Sequence, residues 1–398
     1  MSDLRVLSLS TLFPSPQRPA FGKFVEYQMK AVVARGDVDL VMVNPLGIPP
    51  WPLSRREPYR SLAAGPAVSR LDGITVHHPH FRTIPRFGSD TNPGRIARAI
   101  MPLVKRLHAE RPFDLVDAQF FFPDGPAAAL IAAQLHLPLS IKARGGDILY
   151  WGERPRALAQ MRAAADQAAA MLAVSAALKQ DMAALGMPGE KITVHYTGLE
   201  HSRFQPHRRA EARAKIAALP ALAIPADGAL LVATGALIPI KGQRLAIEAL
   251  QELPGARLAL AGVGADEAAL RALTADLGLA ERVHFLGQVS HALLPLLFSA
   301  ADAAVLPSER EGLANAWVEA LACGAPLVIP AIGGALEVVR DASAGRIAAR
   351  DPASIAAAVR ELLANPPSQA DVAANAARFN WDRNAAELVA FWRLLAAC

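Results

Sequence analysis

The chain is poor in several things that common architectures depend on. It has two cysteines in 398 residues, Cys323 and Cys398, too few for a disulfide framework. Cys323 sits in an apolar helical context and reads as a small core residue. No apolar run reaches the roughly 18 uninterrupted residues that a membrane-spanning helix needs, because Asp, Pro or Arg cuts each candidate. The opening MSDLRVLSLSTLF has no long apolar stretch after a basic start, so no secretory signal is expected. Charged residues make up 19% of the chain and aromatic residues 6%, against 53% hydrophobic, a balance that excludes a disordered polyelectrolyte. The GxxxxGK[ST] phosphate loop is absent. A dinucleotide fingerprint fails as well: after Gly262 and Gly264 the third small residue is replaced by Glu267, whose carboxylate would repel a pyrophosphate, and the dehydrogenase reading is set aside.

What is present is length, alternation and a local excess of positive charge. A chain of 398 residues is long for one core, so two domains are expected. The net charge is only +5, but between positions 51 and 111 eleven arginines and lysines, Arg86 among them, face four acids. Two readings of that segment stand side by side: an ordinary solvated face, or a field suited to an anionic surface or substrate. Short apolar runs alternate with helical patterns. LRVLSLS and DLVMVN read as buried strands around the helix FGKFVEYQMKAVVARG, which ends at Gly36. FDLVDAQ, GPAAALIAAQLH and PLSIKAR repeat the pattern, followed by MLAVS, a helix over 176–185 and ITVHYTG. This is the arithmetic of βαβ units and a parallel sheet covered on both faces. The rhythm breaks over 199–228, which holds three prolines and reads as a domain boundary with a helix beside it. It resumes with ALLVATGAL, GQRLAIEALQEL and ARLALAGVG. The expectation is an α/β protein of two Rossmann-like, doubly wound domains, 1–205 and 206–378, with a ligand cleft between them. A final helix, 379–398, with the bulky face Leu388, Phe391, Trp392 and Leu395, would dock back towards the first.

The chemistry collects at strand ends. In TGALIPIKGQRLAIEAL, Gly235 permits a sharp turn, and Lys241 and Gly242 stand at the mouth of a helix. Free amides and a lysine there would cradle a diphosphate, although a lysine before a glycine is also ordinary loop chemistry. In SEREGLANAWVEALACGAP, AAVLPS is the preceding strand, EREG the loop, and Leu313 or Ala314 the expected helix start. Trp317, Ala320, Leu321 and Gly324 form the packed stripe. Glu311 lies in the loop and Glu319 off the stripe, roughly 12 Å away if the intervening residues were all helical. That exceeds the spacing of either glycosidase carboxylate pair. The acids therefore read as handles for two parts of one long ligand, each accepting hydrogen bonds from vicinal hydroxyls, with the amides of Gly312, Leu313 and Ala314 near phosphate. Such a site suits a nucleotide sugar. Against this stands the reading of Glu319 as a solvated helix residue.

These motifs resemble the retaining glycosyltransferases of family 4, with the GT-B architecture. The resemblance rests on EREGLANAWVEALACGAPLVIPAIGGALEVV, on G-x-L-x-x-x-KG at Gly235, Leu237, Lys241 and Gly242, on VHFLGQVSHALLPLLFSAADAAVLPS, and on two N-terminal stretches, FPDGPAAALIAAQLHLPLSIKARGGDI and AVSAALKQDMAALGMPGEKITVHYTGLEHSRFQP. It covers nearly the whole chain. It implies that Glu319 binds the donor ribose, that Glu311 faces the donor sugar, and that Lys241 binds the diphosphate with the amides after Gly312. Gly22, in FGKFVEYQ, would let the backbone approach the donor phosphate or acceptor. Arg144 and Asp147, of the GxD turn, would lie on the acceptor side, with Arg144 also counted as catalytic. The chain departs from the family at Ala236, where a second phosphate-binding arginine is usual. Arg144 replaces a common histidine, and Thr197 a common asparagine.

The implied reaction moves a sugar from a nucleotide diphosphate to a hydroxyl with anomeric retention, in bacterial cell-surface polysaccharide or glycolipid assembly. No Asp-x-Asp motif occupies a suitable loop, so no metal is expected, and no cofactor beyond the nucleotide sugar as co-substrate. The partners implied are that nucleotide sugar, a sugar or lipid-linked acceptor and an anionic membrane surface, with no nucleic acid. The location implied is cytoplasmic, at most peripheral on the inner membrane face. Two other readings stand beside it. One is a sugar-nucleotide 2-epimerase using His77, His78, His80 or His195, and the other a nucleotide-sugar-binding protein without turnover. The basic segment PGRIARAIMPLVKRLHAERP would either lie on lipid or pack on its own sheet, with Pro102 interrupting it.

Overall fold

The structure is a computed structural model and describes residues 4–84, 88–220, 222 and 224–397. Arg86 and Cys398 lie outside the described residues. The chain divides into two compact units. One runs up to Gly198 and takes in the C-terminal helix from Trp381; the other is Leu199–Asn380.

The first unit is built on eight strands: β1 (Leu4–Leu9), β2 (Val38–Val43), β3 (Val68–Leu71), β4 (Ile74–His77), β5 (Leu115–Ala118), β6 (Leu139–Ala143), β7 (Ala170–Ala173) and β8 (Ile192–Val194). Their order across the sheet is β8-β7-β6-β5-β1-β2-β4-β3. Every pairing is parallel except β3 with β4, a hairpin that sets Leu71 opposite Ile74. Residues of β1 and β5 are buried throughout, as expected of parallel strands with helices on both faces. The helix Lys23–Ala34 turns Val25, Met29 and Val32 inward, an i, i+4, i+7 stripe. The C-terminal helix Trp381–Ala396 packs beside it, burying Leu388 and Trp392, with Phe391 and Leu395 partly covered. Gln28 Nε2 donates to Asn384 Oδ1 at 2.6 Å, and Trp392 Nε1 to Asp117 Oδ1 at 3.1 Å.

The helix Asn92–Glu110 runs through Pro102 without a break, which corrects the expected interruption. Pro102 is on the exposed side, where water can satisfy the carbonyl that its missing N–H leaves free. Ile96, Ala97, Ile100 and Val104 are buried in the protein, so the apolar face of this helix covers its own unit rather than lipid. No helix among the described residues is long and apolar enough to cross a membrane.

The second unit has six parallel strands: β9 (Leu230–Thr234), β10 (Arg257–Ala261), β11 (Val283–Gly287), β12 (Ala303–Val305), β13 (Leu327–Ile329) and β14 (Gly345–Ile347), in the order β11-β10-β9-β12-β13-β14. The proline-bearing boundary segment contributes a helix, Arg209–Ala217, to this unit. In both sheets the order reverses beside the first strand. A crevice therefore opens between the loops after β1 and β5 in the first unit, and between those after β9 and β12 in the second. Open parallel sheets place ligands at such switch points.

Candidate active site

In the second unit the loop after β9 ends in a single turn, Pro239–Lys241, followed by Gly242 and the helix Gln243–Ala249. The loop after β12 leads to the helix Asn315–Ala322. That helix starts one residue later than expected, because Ala314 keeps an extended backbone as its N-cap. The two loops are tied together: Glu309 N donates to Ile240 O at 2.7 Å, and Lys241 Nζ meets Glu311 Oε1 at 2.5 Å. Both side chains are largely covered, at 29% and 14% exposed. Gln243 Nε2 donates to Ala236 O at 2.9 Å, so the residue that replaces the usual arginine sits in a turn fixed from outside.

Lys241, Glu311 and Ala314 line one small cavity with Thr234, Ser308 and Trp317. Gly235 adjoins it; a side chain there would come 4.0 Å from Lys241 Cε. Trp317 lines this cavity, and its indole N–H is buried without a hydrogen-bond partner among the described residues, an unmet donor that a ligand oxygen would satisfy. Gly312 and Leu313, in the same loop, are buried. The sequence assigns Lys241 to a diphosphate and Glu311 to a sugar; the structure pairs the two side chains. It also brings in Ser308, Gln243 and Trp317, which the motif alone did not single out.

A further residue missed in the sequence is Gly333, within the GG pair of the long motif. Its φ is +46°, and a Cβ there would lie 2.0 Å from the carbonyl oxygen of Glu311. Gly334 N donates to Gly312 O at 2.7 Å. This close backbone approach, which only glycine permits, fixes the loop that carries Glu311.

Glu319 does not line that cavity. It lies about one turn into the helix Asn315–Ala322, partly buried, and its carboxyl has no hydrogen-bond partner among the described residues. Burial pushes its pKa from an ordinary 4.5 up to about 7, opposed by the charge of Arg203. The solvated-residue reading therefore does not describe it. A carboxyl held more protonated in the fold than in the unfolded chain makes the fold less stable as pH rises. The second unit should therefore lose stability between about pH 4.5 and pH 7 and level off above. Chemical denaturation at stepped pH should show this decline, and Glu319→Gln should flatten it.

The first-unit candidates are placed differently. Gly22 is the N-cap of Lys23–Ala34 with φ +70°, and a Cβ there would strike the carbonyl oxygen of Leu12 at 2.3 Å. It thus closes the loop between Leu12 and Gly22, just after β1. Asp147 is fully buried and accepts from the amides of Phe121, Arg144, Gly145 and Ile148 at 2.7–3.2 Å. In this structure it holds the turn that carries Arg144. The Arg144 guanidinium donates to Gln119 O, Gln119 Oε1 and Gln28 Oε1 at 2.5–2.7 Å and lies over Phe24. Burial lowers its pKa to about 10, partly offset by Asp147 and Asp117, so it stays charged at neutral pH. Two of the histidines weighed as acid–base groups are engaged inside this unit. His195 bridges Lys142 Nζ and Asn384 O, and His78 bridges Ser69 and Asn44.

Two family models match the chain, one in each half. The model for Glycosyl transferases group 1 matches residues 215–379, and that for Glycosyltransferase Family 4 matches residues 57–203. A putative teichuronic acid biosynthesis glycosyltransferase of Bacillus subtilis is 28% identical over 338 residues, covering 83% of this chain and 82% of its own. A D-inositol 3-phosphate glycosyltransferase of Geodermatophilus obscurus is 30% identical over 353 residues, covering 82% and 76%. Among solved structures, a sucrose-phosphate synthase of Thermosynechococcus elongatus superposes with a TM-score of 0.78 at 20% identity over 99% of both chains. The Anabaena protein HepE, solved with UDP and glucose, does so at 0.72 and 21% identity over 98% of this chain and 99% of that one.

Proposed function

This chain belongs to the group 1 glycosyl transferases of glycosyltransferase family 4, and we propose that it uses a nucleoside-diphosphate sugar as donor and retains the anomeric configuration. The observation that carries this is the Lys241–Glu311 pair at the switch point of the second sheet. A cation beside two helix mouths is suited to a leaving diphosphate. The Anabaena protein HepE, solved with UDP and with UDP-glucose, supports the donor class.

In the reaction the bond between the anomeric carbon and the phosphate oxygen breaks. A bond from that carbon to the acceptor oxygen forms on the same face, and the acceptor proton passes to the leaving phosphate. Lys241 neutralises the charge that grows on the diphosphate, Glu311 fixes Lys241 and faces the donor sugar, and Glu319 holds the ribose. Catalysis then comes from orientation and from charge stabilisation. No metal ion enters this reading, for want of an Asp-x-Asp motif in a suitable loop. Arg144, on the turn held by Asp147, stands on the acceptor side.

The setting we infer is bacterial cell-surface polysaccharide or glycolipid assembly at the cytoplasmic face of the membrane. Trp51 and Leu53, 73% and 40% exposed beside the basic segment, supply an apolar element for contact with anionic lipid. Thermal unfolding with UDP, ADP and GDP tests the donor claim. One of them at about a hundred times its Kd should add about 2.7 kcal/mol and raise the midpoint by several degrees. Glu319→Ala should remove the rise. Indifference to all three nucleotides would overturn the reading.

A further inference from the structure

A second cavity, in the first unit, carries positive charge that no carboxylate among the described residues answers. It has a volume of about 510 Å³ and lies between the short strand His80–Arg82 and the helix Asn92–Glu110. Arg82, Arg95 and Arg98 all line it. Arg95 and Arg98 are one helical turn apart, on the same face. Arg95 Nη1 reaches Arg82 O at 3.4 Å, which brings the helix to the strand. Arg82 points out and Phe81 points in, the ordinary alternation of a strand. None of the three arginines forms an ion pair with a carboxylate among the described residues. Nearby Asp90 is taken by Arg156. Three guanidinium groups around one cavity repel each other and are most stable around an anion, and arginine forks match phosphate oxygens best.

The cavity shares one wall with the switch-point crevice of the eight-stranded sheet in the same unit. Phe81 is a wall of both. The crevice has a volume of about 260 Å³ and is walled by Thr11, Phe13 and Phe120 at the ends of β1 and β5. Ser15 and Asn92 line it, and their Oγ and Oδ1 are buried without hydrogen-bond partners among the described residues. Ser15 as a whole is only 5% exposed. Unpaired polar atoms among aromatic walls are what a sugar ring needs: hydroxyls meet the polar atoms, and the C–H faces meet the rings.

We propose that the acceptor is a sugar carrying a phosphate or diphosphate ester, with its ring in the aromatic crevice and its phosphate between Arg82, Arg95 and Arg98. This rests on the chain being a transferase but not on the identity of its donor. Phe81 separates the two parts of the acceptor. Ile84, 44% exposed at the cavity, gives an apolar exit for whatever the phosphate is esterified to.

The test is calorimetric titration, without donor, of the full chain carrying Lys241→Ala, so that the donor site does not compete. The probes are inorganic diphosphate, glucose 1-phosphate and geranyl diphosphate. At least one should bind, about 100-fold more weakly once Arg95→Gln and Arg98→Gln are added, with an unchanged circular dichroism spectrum. Preference for geranyl diphosphate assigns the phosphate to a lipid carrier, and preference for glucose 1-phosphate to a soluble sugar phosphate. Binding that ignores the arginine changes, or no binding by any probe, overturns the proposal. The nucleotide-induced thermal shift of the otherwise native chain should be the same with and without the two arginine changes, so failure here and failure of the donor reading are told apart.

Discussion

Replacing Lys241 by alanine should lower kcat by about 10²–10³-fold, the loss typical of removing one donor aimed at developing negative charge. The reason lies in the order of the second sheet. β9 and β12 are neighbours at its switch point, so the loops that leave them share a crevice, and Lys241 is their one cation in the small cavity lined by Glu311, Thr234 and Ser308. With the ammonium gone, a leaving diphosphate would meet Glu311 unneutralised, which adds repulsion to the lost attraction. Lys241→Arg should recover part of the rate, since charge returns but its geometry does not. The fold should survive, because the lysine is at a loop and still 29% exposed. Steady-state transfer with a nucleotide-sugar panel, beside circular dichroism, checks both statements. A rate within a few fold of the native chain would remove the lysine from the mechanism.

Replacing Trp392 by alanine should destabilise the first unit by about 3–5 kcal/mol, the range for truncating a large buried aromatic. The indole is 0% exposed and packs in the same core as Val25, Met29 and Leu388. Its Nε1–H also donates to Asp117, a carboxyl that is wholly buried and whose pKa burial raises against the pull of Gln119, Ser8, Ser140 and Trp392. The change therefore opens a cavity and takes one donor from a buried acid. Denaturant unfolding should show the first-unit transition at a much lower midpoint. Trp392→Phe, which keeps most of the volume, should lose about half as much. A small effect of the alanine change would mean that the C-terminal helix contributes little to this core.

Much of this was legible before any coordinates. The runs LRVLSLS and DLVMVN are apolar on both faces, which only a covered parallel strand tolerates, and they became β1 and β2. Lys241 and Glu311 stood out because each follows a strand at a glycine-bearing turn. Other features were not legible for identifiable reasons. Pro102 looked like a helix break, because a sequence does not show which side of the helix the proline faces. For Glu319 periodicity left a ligand handle and a solvated helix residue as alternatives, because its environment is set by neighbours such as Arg203, more than a hundred positions away. Gly333 stood in the GG pair of the long motif, but its need for a missing side chain comes from the carbonyl of Glu311, which local sequence does not show.

The order of residues by itself determined the alternation of strands and helices, the break near the chain's middle, and the chemistry placed at each strand end. These follow from periodicity and turn preference, which act over a few residues. Only the tertiary structure decided which strand ends are neighbours. Lys241 and Glu311 are 70 positions apart and meet because β9 lies beside β12. Arg82 joins Arg95 and Arg98 because a short strand packs against a helix. Sheet order depends on burying all the apolar faces at once, and no local stretch carries that information.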